Sequence, residues 1–241
     1  MPSFATETLF HIGFFPITNT ILDILLVDCT IICGVFYLSK KLSLIPNNLL
    51  QNLMEYVIET FYGLTESVTK HATAKIFPYF MSFFLFILLV NWSSLLPGFG
   101  TIGMREHGEL IPLFRGASSD LNMTLGLALI SFVATHALSI RIVGIKDYLS
   151  RYFSFNPINL YVGILEIISE ITKVISLSFR LFGNIYAGEV VLITMSSIFA
   201  FVVPLPFLLL EIIVGLVQAL VFSMLTMVGM AILSTSHNKS H

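Results

Sequence analysis

Between Asn156 and Pro204 a largely apolar run carries Glu166, Glu170, Lys173, Arg180 and Glu189. A charged side chain at the centre of a bilayer costs at least about 2.5–3.5 kcal/mol, so such residues need partners, water or a task. Arginine cannot shed its proton to lower that cost. Arg180 therefore brings a permanent positive charge into apolar surroundings, and the chemistry that points to is ion handling. Glu166, Lys173 and Arg180 are seven residues apart, which sets them in a line on one helix face, with Asn184 one turn beyond Arg180. Glu189 follows nine residues after Arg180. At about 100° per residue it lies on roughly the opposite face, about 13 Å further along the axis. Arg180 and Glu189 thus face different neighbours unless the helix bends.

Further on, Glu211 and Gln218 are again seven apart, with Gly215 between them. A hairpin turning at 204–206 brings Glu189 and Glu211 into the outer half of a membrane and Gln218 near the depth of Arg180. The two acids lie 15 residues before and 7 after Pro204, so their pairing requires a loose connection or a steep tilt. Simpler roles stand beside these. Glu166 and Lys173 can snorkel to the interface, Glu170 and Lys173 can pair locally, and Arg180 or either outer acid can join a structural ion pair.

The elements that must position these groups are helices. The chain is 56% hydrophobic and 11% charged, against about 25% charged in soluble domains. Stretches 21–39, 77–96, 121–140 and 207–234 approach or exceed the roughly 20 residues that cross a hydrocarbon core. With 157–203 they make five membrane elements in one membrane domain, and the absence of period-2 alternation excludes a barrel. The expected fold is an all-α integral membrane protein whose last two helices are long, tilted and paired as a hairpin. Asn156 followed by Pro157 is a helix start. The segment 157–203 would be roughly 70 Å long if continuous, more than twice the hydrocarbon thickness. Gly183 and Gly188 are places to bend or to admit a neighbouring helix.

Lys40, Lys41, Lys70, Lys75, Arg141, Lys146, Arg151 and Lys239 fall on one side, and only Arg105 and Arg115 on the other. The positive-inside rule therefore puts the N-terminal segment 1–20 outside and the C-terminus inside. Met1 to Thr18 lacks a basic signal-peptide start. In 47–70, Leu49, Leu50, Leu53, Val57, Phe61 and Leu64 recur at helical spacing with glutamates between them, the pattern of an amphipathic interfacial helix. Asp23 and Asp28 sit near the outer end of the first span, where water reaches them. His136 is expected as a packed, hydrogen-bonded histidine. Cys29 and Cys33 share a helix face with no further ligand nearby and are expected as core packing rather than a metal site. Asn91-Trp-Ser and Asn122-Met-Thr match glycosylation acceptors but lie in or against spans.

The run Ser176-Leu-Ser-Phe-Arg-Leu-Phe-Gly-Asn-Ile-Tyr-Ala-Gly-Glu189 closely resembles the signature of subunit a of the F-type ATP synthases. Phe15-Pro-Ile-Thr-Asn19, Asn91-Trp-Ser, Asp120-Leu-Asn-Met-Thr124 and Gln218-Ala-Leu-Val-Phe222 agree with it, so the resemblance covers nearly the whole chain. It implies a stator beside a ring of subunit c, held with peripheral-stalk subunit b in the larger complex. Protons then pass through two offset half-channels separated by Arg180. Glu189, Glu211, Gln218 and Asn184 would take part in translocation, with Asp120 and Asn122 near the outer mouth and Glu166, Glu170 and Lys173 toward the inner side. In that family the position of Glu211 often holds histidine. The implied location is a bacterial plasma membrane, with a thylakoid or mitochondrial inner membrane as the alternatives.

No cofactor, metal or nucleic-acid partner is implied, and the chain has no G-x-x-x-x-G-K-[ST] loop, so ATP chemistry belongs to partner subunits. The competing classes are a self-contained ion-coupled transporter, whose internal repeats are not seen here, and a structural scaffold, which does not need an arginine at mid-depth.

Overall fold

Long apolar stretches, broken by proline, glycine and short polar runs, fold as helices throughout the core. The computed structural model describes residues 8–12, 15–42, 49–69, 72–96, 103–106, 109–112, 115–152, 157–198 and 204–235. The helices are α1 (Asn19–Lys41), α2 (Leu49–Thr69), α3 (Thr73–Ser93), α4 (Leu121–Val143), α5 (Ile145–Tyr152), α6 (Pro157–Ile198) and α7 (Pro204–Leu233). Four of them, α1, α3, α4 and α7, are long and apolar enough to cross a membrane. The chain is a multi-pass membrane protein. The 42-residue α6 carries the charges singled out above. It runs unbroken through Gly183 and Gly188, and at 1.5 Å per residue is about 63 Å long.

Several expectations change. Two antiparallel hairpins accompany the helices: β1 (Thr8–Ile12) with β2 (Phe15–Thr18) before α1, and β3 (Gly103–Glu106) with β4 (Glu109–Pro112) between α3 and α4. The last helix begins at Pro204 rather than 207, since proline's fixed φ suits a first turn. The short helix α5 was not legible in the sequence. It follows Gly144, whose φ of +93° is open to glycine and closes α4 with a turn. The expected cap Asn156 lies outside the described residues.

The core lies where α3, α4, α6 and α7 meet. Phe83, Phe84, Ile87, Leu127, Leu181 and Phe222 form its centre. A second cluster, Ile76, Phe80, Leu138, Met227 and Met230, continues it toward the α5 end. Helix α2 docks on α3 through Phe61, whose ring lies 5.5 Å from that of Phe80 and 4.8 Å from that of Phe84. Leu49 and Leu53, expected on its packed face, are exposed.

Helix α1 stands at the periphery and touches the core through Val27, Val90 and Ala117. Cys29 and Cys33 are exposed on α1 rather than packed inside. Asp23, expected in reach of water, is fully buried. Both corrections have one cause. An outer-ring membrane helix is apolar all round, so composition does not reveal its inward face.

Candidate functional site

On α6 the core side is Leu177, Leu181 and Ile185, all buried. The helical period then turns Ser176, Arg180 and Asn184 outward, and all three are exposed. Arg180 donates to the Ser176 hydroxyl one turn back, Nη2 to Oγ at 3.2 Å. Among the described residues no carboxylate lies within ion-pair distance of it. The permanent charge sits on an outward face beside the exposed Phe179 and Ile175.

Asn184 reaches the next helix instead of the guanidinium: its Nδ2 donates to Gln218 Oε1 at 3.0 Å. Gln218 is buried in α7, and its Nε2 has no partner among the described residues. The structure therefore brings Asn184 and Gln218 together one turn from Arg180, and Arg180's own hydrogen bond goes to Ser176.

Glu211 is buried on α7 and lies against Gly188. A Cβ on Gly188 would stand 2.8 Å from Glu211 Oε1, so the missing side chain is the space the carboxyl occupies. Glu189 follows Gly188 directly in the chain. Each acid keeps a buried Oε2 without a hydrogen-bond partner among the described residues. The hairpin thus seats Glu211 against Gly188, the residue before Glu189, despite the acids' unequal distances from the turn.

Gly215, one turn further along α7, accepts from Asn91 of α3 through its carbonyl, at 3.0 Å. The next side chain of α3, Trp92, donates to Ile212 O at 3.2 Å. Asp120 caps α4 by accepting from the Asn122 backbone N–H at 2.9 Å, and the Asn122 side chain is exposed.

A second polar cluster lies at the α5 end. The line Glu166–Lys173–Arg180 is real on the helix, but its members find different partners. Glu166 Oε1 lies 2.7 Å from Arg151 Nε on α5. Lys173 Nζ donates to Glu170 Oε1 at 2.7 Å, the local pair that their spacing allows. His136 Nε2 is 4.0 Å from Glu170 Oε2, while its Nδ1 shares a 2.7 Å hydrogen bond with the Tyr148 hydroxyl. His136 is thus packed and hydrogen-bonded as expected, yet also borders the charged cluster.

A cavity between α4, α6 and α7 is lined by Ser131, Thr135, Glu170, Lys173, Thr226 and Gly229. Ser131 and Thr226 hydroxyls meet at 2.8 Å on its wall. At the end of α5, burial pushes the Tyr152 phenol above its ordinary range and keeps it protonated. Sequence reasoning used Arg151 only as an orienting charge and passed over Tyr148, Ser131 and Thr226. Their partners are distant in sequence, so the signal in the chain was at most the basic residue itself.

A family model described as ATP synthase A chain matches residues 21–230. Among curated relatives, ATP synthase subunit a of Moorella thermoacetica is 30% identical over 223 residues, covering 92% of this chain and 94% of that protein. ATP synthase subunit a 2 of Pelobacter propionicus is 32% identical over 226 residues, 94% of this chain and 91% of the relative. ATP synthase subunit a of Legionella pneumophila is 30% identical over 228 residues, 95% of this chain and 91% of the relative.

Proposed function

Because the chain belongs to the ATP synthase A chain family, we propose that it conducts protons as the stator beside a ring of c subunits in a bacterial plasma membrane. Helix α6 is the fifth membrane element, tilted with α7 along that ring, and α2 lies at the inner interface. A peripheral-stalk subunit b completes the stator, and ATP chemistry takes place on other subunits.

The observation that carries this reading is Arg180, a charge that cannot be neutralised, facing outward from an apolar surface with no carboxylate among the described residues within ion-pair distance. Left against lipid it would be costly. Facing a ring carboxyl it has a partner and a task. In lipid that carboxyl stays protonated, because desolvation penalises the charged form, whereas beside Arg180 the anion is favoured and the proton leaves. Arg180 cannot accept that proton, so it separates the two half-channels.

Glu189 and Glu211 relay protons on the outer side, with Asp120 and Asn122 at the mouth. Gln218 and Asn184 orient groups near the arginine without offering a rival charge. Glu166, Glu170 and Lys173 line the inner side. Each charge crossing the membrane supplies about 2.3 kcal/mol per 100 mV, so rotation must sum many transfers.

The test is proton-driven ATP synthesis in vesicles containing the complete complex. Arg180→Ala should abolish coupled synthesis while the chain remains in the membrane. Arg180→Lys should largely fail too, since a desolvated lysine can lose its proton. Near-normal coupling in either variant refutes the reading, and isolation of the chain as an active monomer would favour a self-contained transporter.

A further inference from the structure

At the hairpin end a second group of buried polar atoms leads toward Glu211. Asp23 is fully buried although α1 otherwise stands at the periphery. Its Oδ2 accepts from the Ala117 backbone N–H at 2.9 Å and lies 3.2 Å from Ser93 Oγ. The same hydroxyl lies 2.8 Å from Val90 O. A hydroxyl has one hydrogen and cannot donate to both acceptors. When it serves Val90, the Ser93 oxygen is free to accept from a neutral Asp23; when it turns, it serves the carboxylate. Rotation of one hydroxyl therefore accommodates Asp23 with or without a proton.

Polar atoms without protein partners extend from this point. Asp23 Oδ1, Asn19 Oδ1 and Ser118 Oγ are buried and unpartnered among the described residues. Two residues before Ser93, Asn91 holds Gly215 O through Nδ2 and leaves its Oδ1 unpartnered. Gly215 shares its α7 face with Glu211 and Gln218, whose Oε2 and Nε2 are also buried without partners. Each such group costs about 1–3 kcal/mol if left unsatisfied, and proteins keep few of them. Buried polar groups left without protein partners are the ones that ordered water satisfies.

We propose that Asp23 carries protons in the outer path, exchanging them through Ser93 and water toward the α7 face that holds Glu211 and Gln218. This rests on the proton-conducting reading above. The balance is simple: Asp23 takes a proton from water on the outer side and releases it to water on the Glu211 side, with no other reactant.

A competing role is a staple that ties α1 to Ala117, and three variants separate the two. Asp23→Asn keeps an oxygen for Ala117 and Ser93 but cannot exchange a proton. Asp23→Glu keeps the acid, and Asp23→Ala removes both. In vesicles containing the complete complex, normalised to the amount of this chain, Asp23→Asn should assemble normally. Its proton-driven ATP synthesis should run about three- to tenfold slower, less than the loss of a sole acid–base group because Glu189 and Glu211 remain. Asp23→Glu should recover most of the rate. Wild-type rates in Asp23→Asn overturn the proposal. Arg180→Ala measured alongside tells the readings apart: normal synthesis there fails the underlying function, whereas its loss with unaffected Asp23→Asn fails only Asp23. If Asp23→Asn does not assemble, Ser118→Cys with Cys29→Ser and Cys33→Ser decides. A small hydrophilic thiol reagent added outside should label Ser118→Cys and slow synthesis, and absence of labelling refutes the path.

Discussion

Replacing Gly188 by alanine tests the seat of Glu211 without touching a titratable group. The new Cβ would stand 2.8 Å from Glu211 Oε1 and 3.1 Å from its Cδ, so the oxygen is about 0.6 Å short of the 3.4 Å at which ordinary contact begins. The flexible carboxyl, rather than either backbone, gives way. Forcing a side chain about 30° off its rotamer costs about 0.5–1.5 kcal/mol. At about 1.4 kcal/mol per tenfold, this lowers occupancy of the present geometry about two- to twelvefold.

Proton-driven ATP synthesis in Gly188→Ala should fall within that range at unchanged assembly. Adding Glu211→Asp shortens the acid and relieves the clash, so the double variant should lose less than the product of the single losses. Gly126→Ala is the control: nothing lies within 4 Å of its Cβ position, and it should be neutral or mildly stabilising through helix propensity. Wild-type synthesis in Gly188→Ala, or strictly multiplicative losses in the double variant, would refute the seating argument.

Glu189→Gln and Glu211→Gln should each slow synthesis, with a combined loss smaller than the product, as expected of neighbours on one path; independent losses measured in the same assay would separate them. Reversing one charge, as Arg151→Glu, breaks a pair whose side chains are 16% and 21% exposed. Its cost of about 1–3 kcal/mol lies between that of exposed and fully buried pairs. Adding Glu166→Arg should restore part of the thermal stability in detergent, but not the Arg151 bond to Ile232 O; no recovery argues against the pair. Gly163→Ala drives a Cβ into the Tyr152 carbonyl, a backbone atom that cannot turn away, and should destabilise the α5–α6 corner by about 1–3 kcal/mol. An unchanged melting temperature contradicts that contact.

The two acids of the α6–α7 hairpin illustrate why the site was only partly legible. Spacing put Glu211 and Gln218 on one face of α7 and Glu189 away from Arg180, because helical period is a local property. It left open how 15 residues on one side of Pro204 match 7 on the other. The close approach that Gly188 allows settles the register. Similarly, the line Glu166–Lys173–Arg180 was readable, but the pairing of Glu166 with Arg151 depends on α5, a short helix with no apolar period long enough to announce it.

By itself the sequence determined the helical class, the apolar stretches, the permanent charge of Arg180 and the family run around it. These follow from composition, from a 3.6-residue period, and from a side chain that keeps its proton. Only the tertiary structure decided which face of each helix turns inward. It buried Asp23 against Ala117, 94 residues away, exposed Cys29 and Cys33, and joined Asn184 to Gln218 across two helices. In a soluble protein the apolar stripe of a helix marks its inner face. In a membrane helix the lipid-facing side is as apolar as the packed one, so the choice falls to small residues, steric fit and buried hydrogen bonds between segments distant in the chain.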